Sequence, residues 1–163
     1  MNKNCIITGA TDGIGKQTAI DLANLGYNIG IVGRSQRKGK AVLDEIASLT
    51  GNHSLKYFKA DLSIIKDLSG LASDIKKEYN SIDILINNAG AYFSQYIETE
   101  EQLEMTFALN HLSYFQLTML LIDAIEFEIP GRVINVASSA HFGAKLYLND
   151  IQMKKKYKGW TAY

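Results

Sequence analysis

The chain has 163 residues, 47% of them hydrophobic and 21% charged, a globular composition long enough for one domain with its own core. Lys and Arg together number 17, as do Asp and Glu, so the formal net charge is zero and no global field attracts nucleic acid or an anionic membrane surface. Cys5 is the only cysteine, which excludes an intramolecular disulfide and a cysteine metal cluster, and no apolar run approaches the length of a membrane span.

Met1-Asn2-Lys3-Asn4 leads straight into an apolar run, which reads as lacking a signal or transit peptide, so a cytoplasmic location is expected. The first strand is predicted over 4–8, and a glycine-rich turn joins it to a helix over 14–25 that Gly26 stops. A second strand over 28–32 is followed by Arg34-Ser35 and a helix over 37–49 closed by Gly51. The third strand, 55–59, runs into Asp61-Leu62 and a helix over 64–79. The fourth, 82–86, leads to Asn87-Asn88-Ala89-Gly90. A long helix is predicted over 100–127, with Thr99 and Gln102 at capping-box spacing and Glu98, Glu100 and Glu101 as carboxylates favoured by the helix dipole. Pro130-Gly131 precedes a fifth strand over 132–137. From Ala140 the periodicity fails, and a loop with one short helix near 149–156 is expected. Strictly alternating buried strands and helices imply an α/β fold, a doubly wound parallel sheet with helices on both faces, in a single domain over 1–163.

The turn Thr8-Gly9-Ala10-Thr11-Asp12-Gly13-Ile14-Gly15 has the chemistry of a phosphate cradle. Glycine permits a tight turn and close approach of a ligand to the backbone, and the helix behind it presents unpaired N–H groups and a positive dipole end. A triphosphatase loop would need a glycine five positions before Gly15-Lys16 and Ser or Thr after it, whereas Ala10 and Gln17 stand there. A dinucleotide pyrophosphate is the expected ligand. His53 and His111 have no metal-ligand spacing, and no metal is expected.

The spacing Thr-Gly-x-x-x-Gly-x-Gly, together with Asn87-Asn88-Ala89-Gly90, Asp61-Leu62, Asn110, Ser138-Ser139 and Ala162-Tyr163, resembles the short-chain dehydrogenase/reductase family over the whole chain. Asn110-His111-Leu112 and Ser138-Ser139-Ala140-His141 are most similar to its retinol dehydrogenase-like branch. The resemblance implies a Rossmann-like domain that binds a nicotinamide dinucleotide. Gly9, Thr11, Asp12, Gly13, Ile14 and Gly15 would surround the pyrophosphate, and Asp61, Leu62, Asn87, Asn88, Ala89 and Gly90 would complete the cofactor site. An acidic residue after the second strand would take the ribose 2′-hydroxyl of NAD, whereas this chain has Arg34-Ser35, suited to the 2′-phosphate of NADP, so NADP(H) is expected over NAD.

The same resemblance implies interconversion of a small, lipophilic carbonyl and its alcohol by hydride transfer, with Tyr163 as acid/base, Ser139 orienting the carbonyl and Asn110 in a proton relay. Ser138 reads as a strand-end residue preceding the catalytic serine. In related chains a lysine follows the tyrosine by four positions, and further elements complete the fold and form a homo-oligomer. Tyr163 is the last residue here, so a portion of a longer enzyme is expected, lacking the C-terminal part of the family fold. The second reading is a non-catalytic NADP-binding or redox-sensing module.

Overall fold

A computed structural model of the protein describes residues 3–125 and 131–163. Met1 and Asn2, the predicted end of the long helix at Glu126 and Phe127, and Pro130 lie outside them. The elements are β1 (Asn4–Thr8), α1 (Gly13–Asn24), β2 (Asn28–Gly33), α2 (Gln36–Thr50), β3 (Leu55–Lys59), α3 (Leu68–Glu78), β4 (Ile84–Asn87), α4 (Met105–Phe107), α5 (Ser113–Leu121), β5 (Arg132–Asn135) and α6 (Gly159–Ala162).

The five strands form one sheet in the order β3-β2-β1-β4-β5, and every pair is parallel. The three central strands, β2, β1 and β4, carry branched apolar side chains on both sides because both faces of the sheet are covered by helices. Ile6 and Leu85 point into a core with Leu68, Leu71 and Ile75 of α3 and Leu117 and Leu121 of α5. Ile7, Ile31 and Ile86 point the other way, toward Ala19 of α1 and Val42 and Ile46 of α2. Burying each such branched side chain contributes about 1.5–3 kcal/mol, and the alternation fixes the register, since a slip of one residue would exchange the two faces. The chain winds outward from β1 to β3 and returns to start β4 on the other side of β1. The strand order therefore reverses between β1 and β4, where α/β sheets of this kind bind ligands.

The middle of the chain departs from expectation at the long helix. Thr99 does not start it: its Oγ1 accepts from the N–H groups of Glu101 and Leu103 in a turn whose Gln102 has φ +60°. The helical segment starts at Met105 behind Glu104, whose buried carboxylate accepts from the N–H groups of Thr106 (2.9 Å) and Phe107 (2.8 Å). Nor are Glu98, Glu100 and Glu101 its first-turn carboxylates. Glu101 reaches 36 and 35 residues back to accept from the N–H groups of Ile65 and Lys66, at the 3-10 turn Ile65–Asp67 that leads into α3. Glu100 pairs with Lys66, and Glu98 with Lys154. Between α4 and α5 the helix widens into a π-helical turn over Ala108–Leu112, and past α5 it tightens into 3-10 geometry over Ile122–Ala124. The segment predicted as a short helix near 149–156 holds only a 3-10 turn over Leu148–Asp150, and α6 comes later.

Cys5 is fully buried in β1, and desolvation, with Asp83 adding to it, pushes its thiol up to about 12. A raised thiol pKa means the nucleophilic thiolate is scarce throughout the neutral range. Iodoacetamide at about pH 8.5, where half of free thiols are ionised, should leave the native protein unmodified and alkylate it rapidly in guanidinium. Similar rates in both conditions would contradict this burial.

Candidate functional site

The two glycine-containing turns meet at the carboxyl ends of β1 and β4. Thr8 Oγ1 accepts from the N–H groups of Asn88 (2.9 Å) and Ala89 (3.0 Å), and Asn88 Nδ2 donates to the carbonyls of Thr8 (2.9 Å) and Gly9 (3.3 Å). This brings the first turn so close to the second that a Cβ on Gly9, at φ +66°, would lie 2.7 Å from Ala89 Cα. A Cβ on Gly15 would collide with Asn88 Nδ2 and stand 2.8 Å from Gly9 O. Gly13 is different in kind: at φ +54°, its missing Cβ would meet nothing within 4 Å, because it faces open space.

That space is a cleft of about 1000 Å³. Its floor is the glycine turn, with Gly9, Thr11, Asp12, Gly13 and Ile14. Lys16 N makes the first intrahelical bond, to Asp12 O at 3.2 Å, and Gly13 N is taken by Asp12 Oδ1 at 2.8 Å. The N–H groups of Ile14 and Gly15 precede any intrahelical partner, at the positive end of α1. An extended, charged ligand fits this cradle.

One end of the cleft is marked by Arg34, Leu62 and Ala60, the other by Asn110, Tyr114, Ser138 and Tyr163, with Asn88, Ala89 and Gly90 between them. The Arg34 side chain is 74% exposed, and its guanidinium lies 4.0 Å from Asp61 Oδ2. A pair so exposed contributes little to stability and leaves the cation available. The turn that carries it is braced from below. Tyr57 donates to Gly33 O at 2.7 Å, and α2 packs against the Tyr57 ring only because residue 39 is a glycine. Ser35 caps α2 through Lys38 N and does not line the cleft. Asp61 also stands outside the lining, its second oxygen accepting from Ser63 N and Oγ.

Gly15 and Asn87 likewise lie behind the lining. Asn87 is fully buried and donates to Thr118 Oγ1 (3.0 Å) and Asn135 Oδ1 (2.9 Å), joining β4 to α5 and β5. Asn110 lines the cleft from the π-helical turn, and both ends of its amide are engaged. Its Oδ1 accepts from Ala91 N and its Nδ2 donates to Ala91 O, each at 3.0 Å, which holds the chain after Gly90 against the helix.

The two serines part company. Ser138 lines the cleft, whereas Ser139 is exposed and outside it. Ser138 Oγ accepts from Ala140 N at 3.1 Å, capping the 3-10 turn Ser139–His141, so its hydroxyl proton is left to donate elsewhere. The His141 ring Nδ1 is engaged by Ser138 O. Tyr114, one helical turn beyond Asn110, was not singled out from the sequence, since an aromatic residue on an apolar helix reads as core. Burial, and then the proximity of Tyr163, push its phenol up to about 12, which keeps it a neutral donor at ordinary pH.

Among the described residues no group of three His, Cys, Asp or Glu side chains is placed to hold a metal ion. Among the described residues no helix is long and apolar enough to cross a membrane.

The family model for short chain dehydrogenases matches residues 3–146. Retinol dehydrogenase 13 of Homo sapiens is 40% identical over 162 residues, 99% of this chain and 49% of its own length. An uncharacterized protein of solved structure from Mycobacterium paratuberculosis superposes with a TM-score of 0.85 at 31% identity, over 99% of this chain and 56% of that one. A short-chain dehydrogenase from Sphingobium yanoikuyae, solved in complex with NADPH, superposes with a TM-score of 0.72 at 26% identity, over 86% of this chain and 55% of that one. The chain spans about half the length of the curated relatives it matches.

Gly15 and Gly13 should separate in mutagenesis. Gly15→Ala overpacks the junction and should cost about 1–3 kcal/mol, read as a lower urea midpoint. Gly13→Ala carries only backbone strain of about 1 kcal/mol but places a methyl group in the cleft, so dinucleotide binding should fall more than stability does. Equal stability losses with binding unchanged would refute this division.

Proposed function

The chain belongs to the short chain dehydrogenase family, and on that premise we propose that it is an NADP-dependent oxidoreductase that interconverts a small lipophilic carbonyl compound and its alcohol. The observation that carries the proposal is a single cleft with a phosphate cradle at its centre, Arg34 at one end and the hydroxyls of Ser138 and Tyr163 at the other. The NADPH complex of the Sphingobium yanoikuyae relative supports the choice of nucleotide. So does the residue content of the β2 exit, where Arg34, Arg37 and Lys38 stand without an acidic side chain from position 34 to 38. Arg34 pairs with a 2′-phosphate that NAD lacks.

The bound dinucleotide would supply hydride to the carbonyl carbon. Everything else falls to the chain. Ser138, which lines the cleft where Ser139 does not, donates a hydrogen bond to the carbonyl oxygen, its proton left free while its oxygen accepts from Ala140 N. Tyr163 delivers its phenolic proton to that same oxygen as the alcohol forms, and takes it back in the oxidative direction. Asn110 holds the Gly90–Ala91 backbone against the π-helical turn, shaping the cleft between cradle and phenol. A lipophilic substrate suits the Tyr114, Phe115 and Met119 side chains that α5 adds to this end. The 163 residues act here as one cofactor-binding unit.

NADPH oxidation with a panel of lipophilic aldehydes and ketones tests the reading. Arg34→Asp removes a charge-assisted contact worth about 1.5–3 kcal/mol, so NADPH affinity should fall roughly 10- to 100-fold while NADH affinity is maintained or improved. Ser138→Ala should lower kcat on the order of a hundredfold, and Ser139→Ala should leave it within about twofold. The reverse ranking of the serines would return the role to Ser139. NADPH binding without turnover on any carbonyl would favour the redox-sensing module.

A further inference from the structure

We propose that Trp160 and Tyr92 are positioning residues for Tyr163, forming an aromatic clamp that fixes where its phenol points in the cleft. The proposal rests on the assignment of Tyr163 as the proton donor. Three rings meet pairwise at nearly equal separations. Trp160 stacks on Tyr163 with centroids 6.1 Å apart and planes at 29°, Tyr92 meets Tyr163 edge-on at 6.0 Å and 79°, and Tyr92 meets Trp160 at 6.1 Å and 60°. All three distances fall in the range where aromatic pairs attract beyond the area they bury. Neither Trp160 nor Tyr92 lines the cleft, whereas Tyr163 does, so the two rings grip the tyrosine from outside the cofactor space.

The clamp is seated from both sides. Tyr92 sits two residues past Gly90, on the chain that Asn110 holds at Ala91, so its position is inherited from the β4 exit. Trp160 arrives on α6, and α6 approaches this loop only because residue 159 is glycine. A Cβ there would collide with Phe93 O and stand 3.0 Å from Ser94 Cα and 3.1 Å from Tyr92 Oη. Just before the glycine, Tyr157 donates to Phe93 O at 3.0 Å, and its hydroxyl lies 3.1 Å from both Glu104 Oε1 and Thr106 Oγ1. Gln152 Oε1 accepts from Glu104 N at 2.7 Å, and Lys154 pairs with Glu98 at 2.8 Å. The stretch from Gln152 to Tyr157 is thereby latched to the α4 end, and the last helical turn is delivered to Tyr92. Without the two rings, Tyr163, itself 42% exposed, would have open rotamers. Proton transfer depends on a donor held within a few tenths of an ångström of its acceptor, so a loosened ring costs rate more than binding.

Trp160 is the only tryptophan in the sequence and reports on its own neighbours. Ionised tyrosine quenches an adjacent indole. In a Tyr92→Phe background, alkaline titration should still quench the fluorescence, and adding Tyr163→Phe should abolish that step. Persistence of the full step would overturn the clamp. In turnover, Trp160→Ala should lower kcat about tenfold with KM within twofold and NADPH affinity unchanged, and Trp160→Phe should recover most of the loss. Trp160 is 68% exposed, so folding is not at stake. A kcat within twofold of the parent for Trp160→Ala also overturns the proposal. If the parent binds NADPH and reduces no carbonyl, the functional reading fails, and the clamp then stands or falls on the fluorescence step alone.

Discussion

The arrangement at the cleft depends on four hydrogen bonds between Thr8 and Gly9, at the exit of β1, and Asn88 and Ala89, at the exit of β4. Parallel strands diverge once their ladder ends, and here a threonine hydroxyl and an asparagine amide replace the ladder where it stops. Thr8 is buried, so its hydroxyl has no water to return to, and leaving these backbone groups unpaired would cost about 1–3 kcal/mol each. The tie explains two of the glycines. Gly9 and Gly15 are small because the tie brings another backbone or side chain against them, while Gly13, at φ +54°, faces open space.

The two ends of the cleft are built on different physics. At the Arg34 end the charges are exposed, and the rigid part is the backbone beneath them, held by the Tyr57 hydroxyl and the close packing of α2 at Gly39. A solvated cation on a braced turn costs little. At the Tyr163 end the side chains themselves are held, through ring contacts and the buried carboxylate of Glu104. Recognition of charge tolerates a mobile partner, and proton transfer does not.

The sheet was legible because its central strands are short apolar runs and the first two helices stop at punctuation the chain displays, Gly26 and Gly51, both with positive φ. The cradle was legible for the same reason, since its glycine spacing is local. What escaped sequence reasoning was set by distance along the chain. Glutamate is not among the residue types favoured at the cap position itself, and Glu104 serves there while Tyr157, 53 residues on, shares its buried carboxylate. Glu101 caps a turn 36 residues before it. Asn88 reads as a ligand contact and is also the structural bolt of the junction. Ser138 lines the cleft and Ser139 does not because β5 ends at Asn135, two residues before the predicted strand end, and a 3-10 turn follows at once.

A dinucleotide carrying a 2′-phosphate is the proposed occupant of the cleft between the β1 and β4 exits. Calorimetric titration of the unmodified protein with NADPH and with NADH tests it most directly. One site per chain is expected, with at least tenfold tighter binding of NADPH, a difference of about 1.4 kcal/mol or more, that narrows as salt screens the exposed Arg34. Equal affinities for the two cofactors, or binding of neither, would contradict it.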